Sequence, residues 1–227
     1  MRDIRRWAIY FAPTEGELAR FGADWLGWDA QSGLPRDGFD LPGLPAPRVE
    51  IVGKARRYGF HATLKAPFFL AEGCEPMTLD AEISALAARL RPVELPLELA
   101  AAGDFVALVP TRPAPEVDAL AAACVTGLDR FRAPPSREEI ARRHPESLTT
   151  AQFFNLERWG YPDVLDCFQF HMTLTAPLGK GAREAVVHAL GPVLAPLLAG
   201  PIRIRDLCLF GEDGEGMFHL LKRFPLG

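Results

Sequence analysis

Two phrases in this 227-residue chain are near copies: Phe60-His61-Ala62-Thr63-Leu64-Lys65-Ala66-Pro67 and Phe170-His171-Met172-Thr173-Leu174-Thr175-Ala176-Pro177, identical at six of eight positions. Each centres on His-x-Thr. Side chains alternate between the two faces of a β-strand, so His and Thr share one face while Phe and Leu take the other. Odd-numbered residues are therefore expected together: His61, Thr63 and Lys65 in one copy, His171, Thr173 and Thr175 in the other.

Imidazoles with an unperturbed pKa near 6.5 can divide acid–base work at neutral pH, one accepting a proton while the other donates one. Such a pair suits in-line displacement at phosphorus without a metal, and leaves open which histidine takes which role. The threonine hydroxyls would donate to the non-bridging oxygens as charge accumulates there. Lys65 would add a cationic contact, and Arg57, of the same odd parity, another. Tyr10, Tyr58 and Tyr161 could stack on a sugar or base. A lone His-x-Thr says little, since strands often carry both residues on a solvated face; a duplicated one in matching context says much more.

For the histidines to meet, the flanking elements must turn the two copies toward each other. The sequence predicts a strand over 7–11, a helix over 15–28, an irregular loop over 33–47, and helices over 78–90 and 116–131. Between those helices, 93–99 and 105–109 read as a β-hairpin. A polar helical stretch follows over 136–159, then a helix over 182–198 interrupted by Pro192 and Pro196, then a closing hairpin of 202–210 and 217–226. His-x-Thr strand, helix and hairpin thus occur twice, 110 residues apart. The expected fold class is α+β, one bilobal domain of two pseudo-symmetric lobes, each with an antiparallel sheet and helices, around a central cleft. The approximate repeat halves are 1–133 and 134–227.

Net charge is −4, which supplies no global positive field for long nucleic acids but leaves room for a small anionic substrate. Of two basic clusters, that of Lys54, Arg56, Arg57 and Lys65 is assigned functional relevance. The other, Arg130, Arg132, Arg137, Arg142 and Arg143, lies among acids and reads as a solvated surface. The four cysteines are scattered and His144, His188 and His219 have no ligand-spaced partner, so no metal site is expected. No Walker loop, Gly-x-Gly-x-x-Gly, His-Glu-x-x-His or Gly-x-Ser-x-Gly occurs. Without a signal sequence or an apolar run long enough to span a bilayer, the expectation is a soluble cytoplasmic protein with reduced thiols and no membrane partner. Oligomeric state stays open.

The two motifs resemble those of the 2H phosphoesterase superfamily, named for paired His-x-Thr/Ser. In context, Arg57-Tyr58-Gly59-Phe60-His61-Ala62-Thr63-Leu64-Lys65-Ala66-Pro67-Phe68 and the second motif with its preceding Trp159-Gly160-Tyr161-Pro162 look like a branch associated with phosphonate metabolism. The resemblance implies a bilobal α+β fold, no cofactor, and opening or hydrolysis of a small cyclic or nucleotide-like phosphodiester. It also implies that His61, Thr63, His171 and Thr173 hold the catalytic positions. Two rivals stand beside this: an RNA-end 2′–5′ ligase or cyclic phosphodiesterase, which the superfamily also contains, and a non-catalytic module that binds phosphorylated ligands.

Overall fold

The computed structural model describes residues 3–13 and 15–227. Strand β1 (Arg6–Phe11) leads into helix α1 (Glu17–Leu26), which buries Phe21, Trp25 and Leu26 and ends where Gly27 adopts the left-handed conformation at φ 73°. A two-residue ladder, β2 (Trp28–Asp29) with β3 (Leu34–Pro35), opens the irregular loop, which short α2 (Arg48–Val52) closes. The first His-x-Thr strand is β4 (Ala62–Phe68), followed by α3 (Pro76–Ala87), β5 (Val93–Leu95), β6 (Leu97–Ala102), β7 (Phe105–Pro110) and α4 (Pro115–Gly127). Helices α5 (Arg137–Ala141) and α6 (Thr150–Trp159) each begin at a capping box, Ser136 with Glu139 and Thr149 with Gln152. The second motif strand, β8, is only Met172–Thr173; α7 (Lys180–Leu194), β9 (Ile202–Ile204), β10 (Asp206–Glu212) and β11 (Phe218–Pro225) complete the chain.

The architecture is α+β with antiparallel sheets, as expected. Seven strands form one sheet in the order β11-β10-β1-β4-β8-β7-β6. Its two motif strands are neighbours at the centre, β4 meeting β8 through the pair Ala62↔Met172. The sheet halves are not the sequence halves: β6 and β7, from before residue 133, flank the second motif strand, while β10 and β11, from the C-terminus, continue the sheet beyond β1 on the first motif's side. Two further differences trace to proline. The strand expected over 93–99 breaks at Pro96, which has no N–H for a ladder, so β5 pairs with β9 and β6 with β7. Pro192 does not end α7, which runs on to Leu194.

One sheet face carries the main core, where Ile9, Phe11, Ala62, Leu64, Met172 and Leu174 pack with the buried residues of α3, α4 and α7. The other carries a smaller aromatic cluster built on Tyr10, Trp28, Phe210 and Phe218. β1 separates the two by simple alternation, with Ile9 on one side and Tyr10 on the other.

Candidate active site

The central register brings the four motif residues together. Ala62 faces Met172 and both are buried, so extending that ladder one residue each way sets His61 beside Thr173 and Thr63 beside His171. The constellation is two-fold about the Ala62–Met172 pair, and all four residues line one cavity of about 710 Å³.

Each imidazole is anchored in the same way. His61 Nδ1 lies 2.9 Å from the Gly59 carbonyl and His171 Nδ1 lies 2.8 Å from the Gln169 carbonyl, in each case two residues upstream. A carbonyl can only accept, so both rings carry hydrogen on Nδ1, leaving Nε2 of a neutral ring as an acceptor. The Gly59 anchor depends on a conformation only glycine adopts readily, φ 72° with ψ 178°, and a Cβ there would stand 2.8 Å from Ala30 Cβ. His61 Nε2 sits 3.2 Å from Thr63 Oγ1. The His61 ring is stacked on buried Tyr10 with centroids 3.9 Å apart, while His171 meets Phe105 at 5.3 Å. Desolvation pushes the His61 pKa down to about 4, the Gly59 hydrogen bond opposing and the charge of His171 reinforcing the shift. At neutral pH His61 is a neutral ring with a lone pair at Nε2.

Tyr10, Tyr58 and Tyr161 line the same cavity. Tyr58 packs on Phe218 at 4.9 Å, and the Arg143 guanidinium lies 4.5 Å from the Tyr161 ring centroid. Thr175 lines it too, but its hydroxyl is occupied: it accepts from Val106 N–H at 3.0 Å and donates to the Ala176 carbonyl at 2.8 Å.

Lys65 is a correction. The β1–β4 ladder pairs Tyr10 with Thr63 and then Ile9 with Lys65, so two residues of β4 oppose one of β1. This bulge reverses the parity beyond Thr63. Lys65 therefore turns into the core, 3% exposed, donating to the Val125 carbonyl at 3.1 Å and lying 3.9 Å from Asp129. Burial lowers its pKa to about 8, with Asp129 pulling it back up. Arg57 is a second correction: it bonds Glu212 at 2.7 Å and the Gly216 carbonyl at 3.0 Å, and lines an adjoining cavity rather than that of the histidines.

The cations that do line the histidine cavity are Arg6, Lys54 and Arg143. Lys54 belongs to the basic cluster that the sequence marked. Arg6 and Arg143 were missed, Arg143 because its acidic neighbours in sequence made it look like ordinary surface. No local pattern signals either, since each reaches the cavity only through tertiary folding.

Residues 63–219 match the family described as "Protein of unknown function (DUF1045)". The chain belongs to the DUF1045 family. Two relatives named "Ribose 1,5-bisphosphate phosphokinase PhnN" are 38% identical to it: one from Janthinobacterium sp. (strain Marseille), aligned over 94% of this chain and 49% of the relative, and one from Laribacter hongkongensis (strain HLHK9), over 96% and 51%. This DUF1045 chain thus spans about half the length of the curated relatives it matches. Among solved structures, one described as a phosphoesterase aligns over 99% of both chains at 16% identity and TM-score 0.44, and E. coli LigT complexed with 3′-AMP over 99% of both at 16% and 0.43. The resemblance of this DUF1045 member to 2H phosphoesterases stands on its own paired motifs and on their placement side by side in the sheet.

Proposed function

We propose that this chain is a metal-independent 2H-type phosphodiesterase that opens or hydrolyses a small cyclic or nucleotide-like phosphodiester. The observation that carries the reading is the pair of His-x-Thr motifs, symmetry-related about one strand pair and lining one cavity. His61, held neutral with its lone pair at Nε2, acts as general base. His171 acts as general acid toward the leaving oxygen, and the threonine hydroxyls donate to the non-bridging oxygens. In a hydrolytic step the water oxygen forms a new bond to phosphorus as Nε2 of His61 takes its proton, and the P–O bond to the leaving oxygen breaks as Nε2 of His171 delivers a proton to that oxygen. The reverse reaction exchanges the roles.

The names of the PhnN relatives favour a phosphonate-metabolism context, and the half-length match supports assigning their phosphokinase activity to the part of those proteins outside this chain. The absence of a Walker loop from the sequence agrees with that division. Against a panel of cyclic phosphates with product analysis, His61→Ala and His171→Ala should each lower turnover about 10²–10⁴-fold. Chelator should leave the parent rate unchanged. Loss of activity on chelation with recovery on adding zinc would overturn the two-histidine mechanism. Binding of phosphorylated ligands without turnover of any diester would instead favour the non-catalytic module.

A further inference from the structure

The histidine cavity holds more positive charge than one phosphodiester needs. A diester carries a single negative charge, which the general acid and the two threonine hydroxyls of the proposed mechanism already match. Yet Arg6, Lys54 and Arg143 also line the cavity, and among its lining residues there is no aspartate or glutamate, in a chain with 29 acidic residues. These cations differ in what neutralises them. Arg6 is paired with Glu212, which also takes Arg57. Lys54 and Arg143 have no carboxylate partner among the described residues.

Arg143 also stands where the cavity meets its neighbour, a space of about 480 Å³; the two share Arg6, Tyr58, Pro67 and Arg143 as a common wall. The acids of the neighbouring space are largely engaged. Glu212 holds Arg6 and Arg57, Glu139 closes the capping box of α5, and Asp213 accepts from His219 at 2.7 Å. Together the two spaces exceed what a bare cyclic phosphate occupies. The Arg143 guanidinium lies 4.5 Å from the Tyr161 ring centroid, a cation–π contact that helps hold in place a group suited to binding an anion.

We infer that the substrate carries a second, terminal phosphate besides the scissile diester, and that Arg143 binds it at the junction of the two cavities, with Lys54 in the lining of the histidine cavity adding attraction. This rests on the phosphodiesterase reading for the identity of the first group and extends it to the class of the substrate, a phosphorylated cyclic diester.

Two measurements test it separately from that reading. In turnover, adenosine 2′,3′-cyclic phosphate is compared with the same compound bearing a 5′-phosphate. The parent should prefer the latter roughly 10- to 100-fold in kcat/KM, as a charge-assisted contact implies. Arg143→Gln should erase most of that preference, lowering kcat/KM much more for the 5′-phosphorylated substrate than for the unphosphorylated one, and Arg143→Lys should keep part of it. In equilibrium binding by calorimetry, adenosine 2′-phosphate is compared with adenosine 2′,5′-bisphosphate on the same proteins. A bisphosphate preference lost in Arg143→Gln supports the second site even if no diester is turned over, in which case only the catalytic reading fails. Equal binding and equal turnover of each pair by the parent, or an Arg143→Gln defect of the same size on both members, would overturn the second site and leave the phosphodiesterase reading standing.

Discussion

His61 and Lys65 lie four residues apart and are both shifted downward by burial, with opposite consequences. For His61 the shift keeps the base form available in acid. The acid limb of kcat/KM for the proposed reaction should therefore fall near pH 4 rather than near 6.5. A pH–rate profile of the free enzyme reads this directly, and a limb near 6.5 that persists in a variant lacking the Tyr10 ring would refute the assignment of base to His61. For Lys65 the folded pKa lies near 8 against 10.5 in the unfolded chain, so stability should rise with pH across that window as the folded lysine releases its proton first. Below it the buried charge disfavours folding by about 3 kcal/mol. Lys65→Met should then raise Tm at pH 7, since Asp129 keeps Arg132 and Arg158, each at 2.9 Å. Activity should stay within about 3-fold of the parent. A large loss in kcat/KM for Lys65→Met would return the lysine to the site.

Among the elements, the ones that matter most are irregular. The bulge in β4 turns Lys65 toward the core, whereas in the second copy Thr175 lines the cavity with its hydroxyl closed onto the Val106 N–H and the Ala176 carbonyl. Each motif thus offers its histidine and first threonine to the cavity, and the polar group of its third odd-numbered residue is engaged by backbone. The turn before β4 is equally specific. Gly59→Ala forces a side chain into a glycine-only conformation, costing about 1–3 kcal/mol, and pushes against Ala30. It also displaces the carbonyl that fixes the His61 tautomer. We expect a lower Tm together with a fall in kcat of about tenfold or more, measured by thermal melt and steady-state kinetics. A destabilised protein with undiminished kcat would show that the anchor is dispensable.

On the scale of the whole molecule, strands from the segments 1–133 and 134–227 interleave in one seven-stranded sheet. The segment 1–133 holds β1 and β4 without β10, and β6 and β7 without β8, so it has open edges on both sides of the site. Expressed alone it should show no cooperative thermal transition by circular dichroism, whereas the full chain should melt as one unit. A cooperative melt of the fragment would mean that the sheet halves are more independent than their pairing implies.

Local sequence fixed a good deal of this. The duplicated phrase named His61, Thr63, His171 and Thr173, because strand alternation is short-range and puts residues two apart on one face. Apolar periodicity located α1, α3 and α4 to within a few residues, and the flanking turns located the hairpins. Folding decided what depends on partners distant in sequence. The bulge opposite Ile9 appears only when β1 pairs with β4, and it removed Lys65 from the site. Arg6 and Arg143 joined the cavity across gaps of more than fifty residues from His61, where no periodicity connects them. The His61 pKa is lowered by burial, with the Tyr10 ring stacked on one face, and desolvation is set by which atoms surround a group in space.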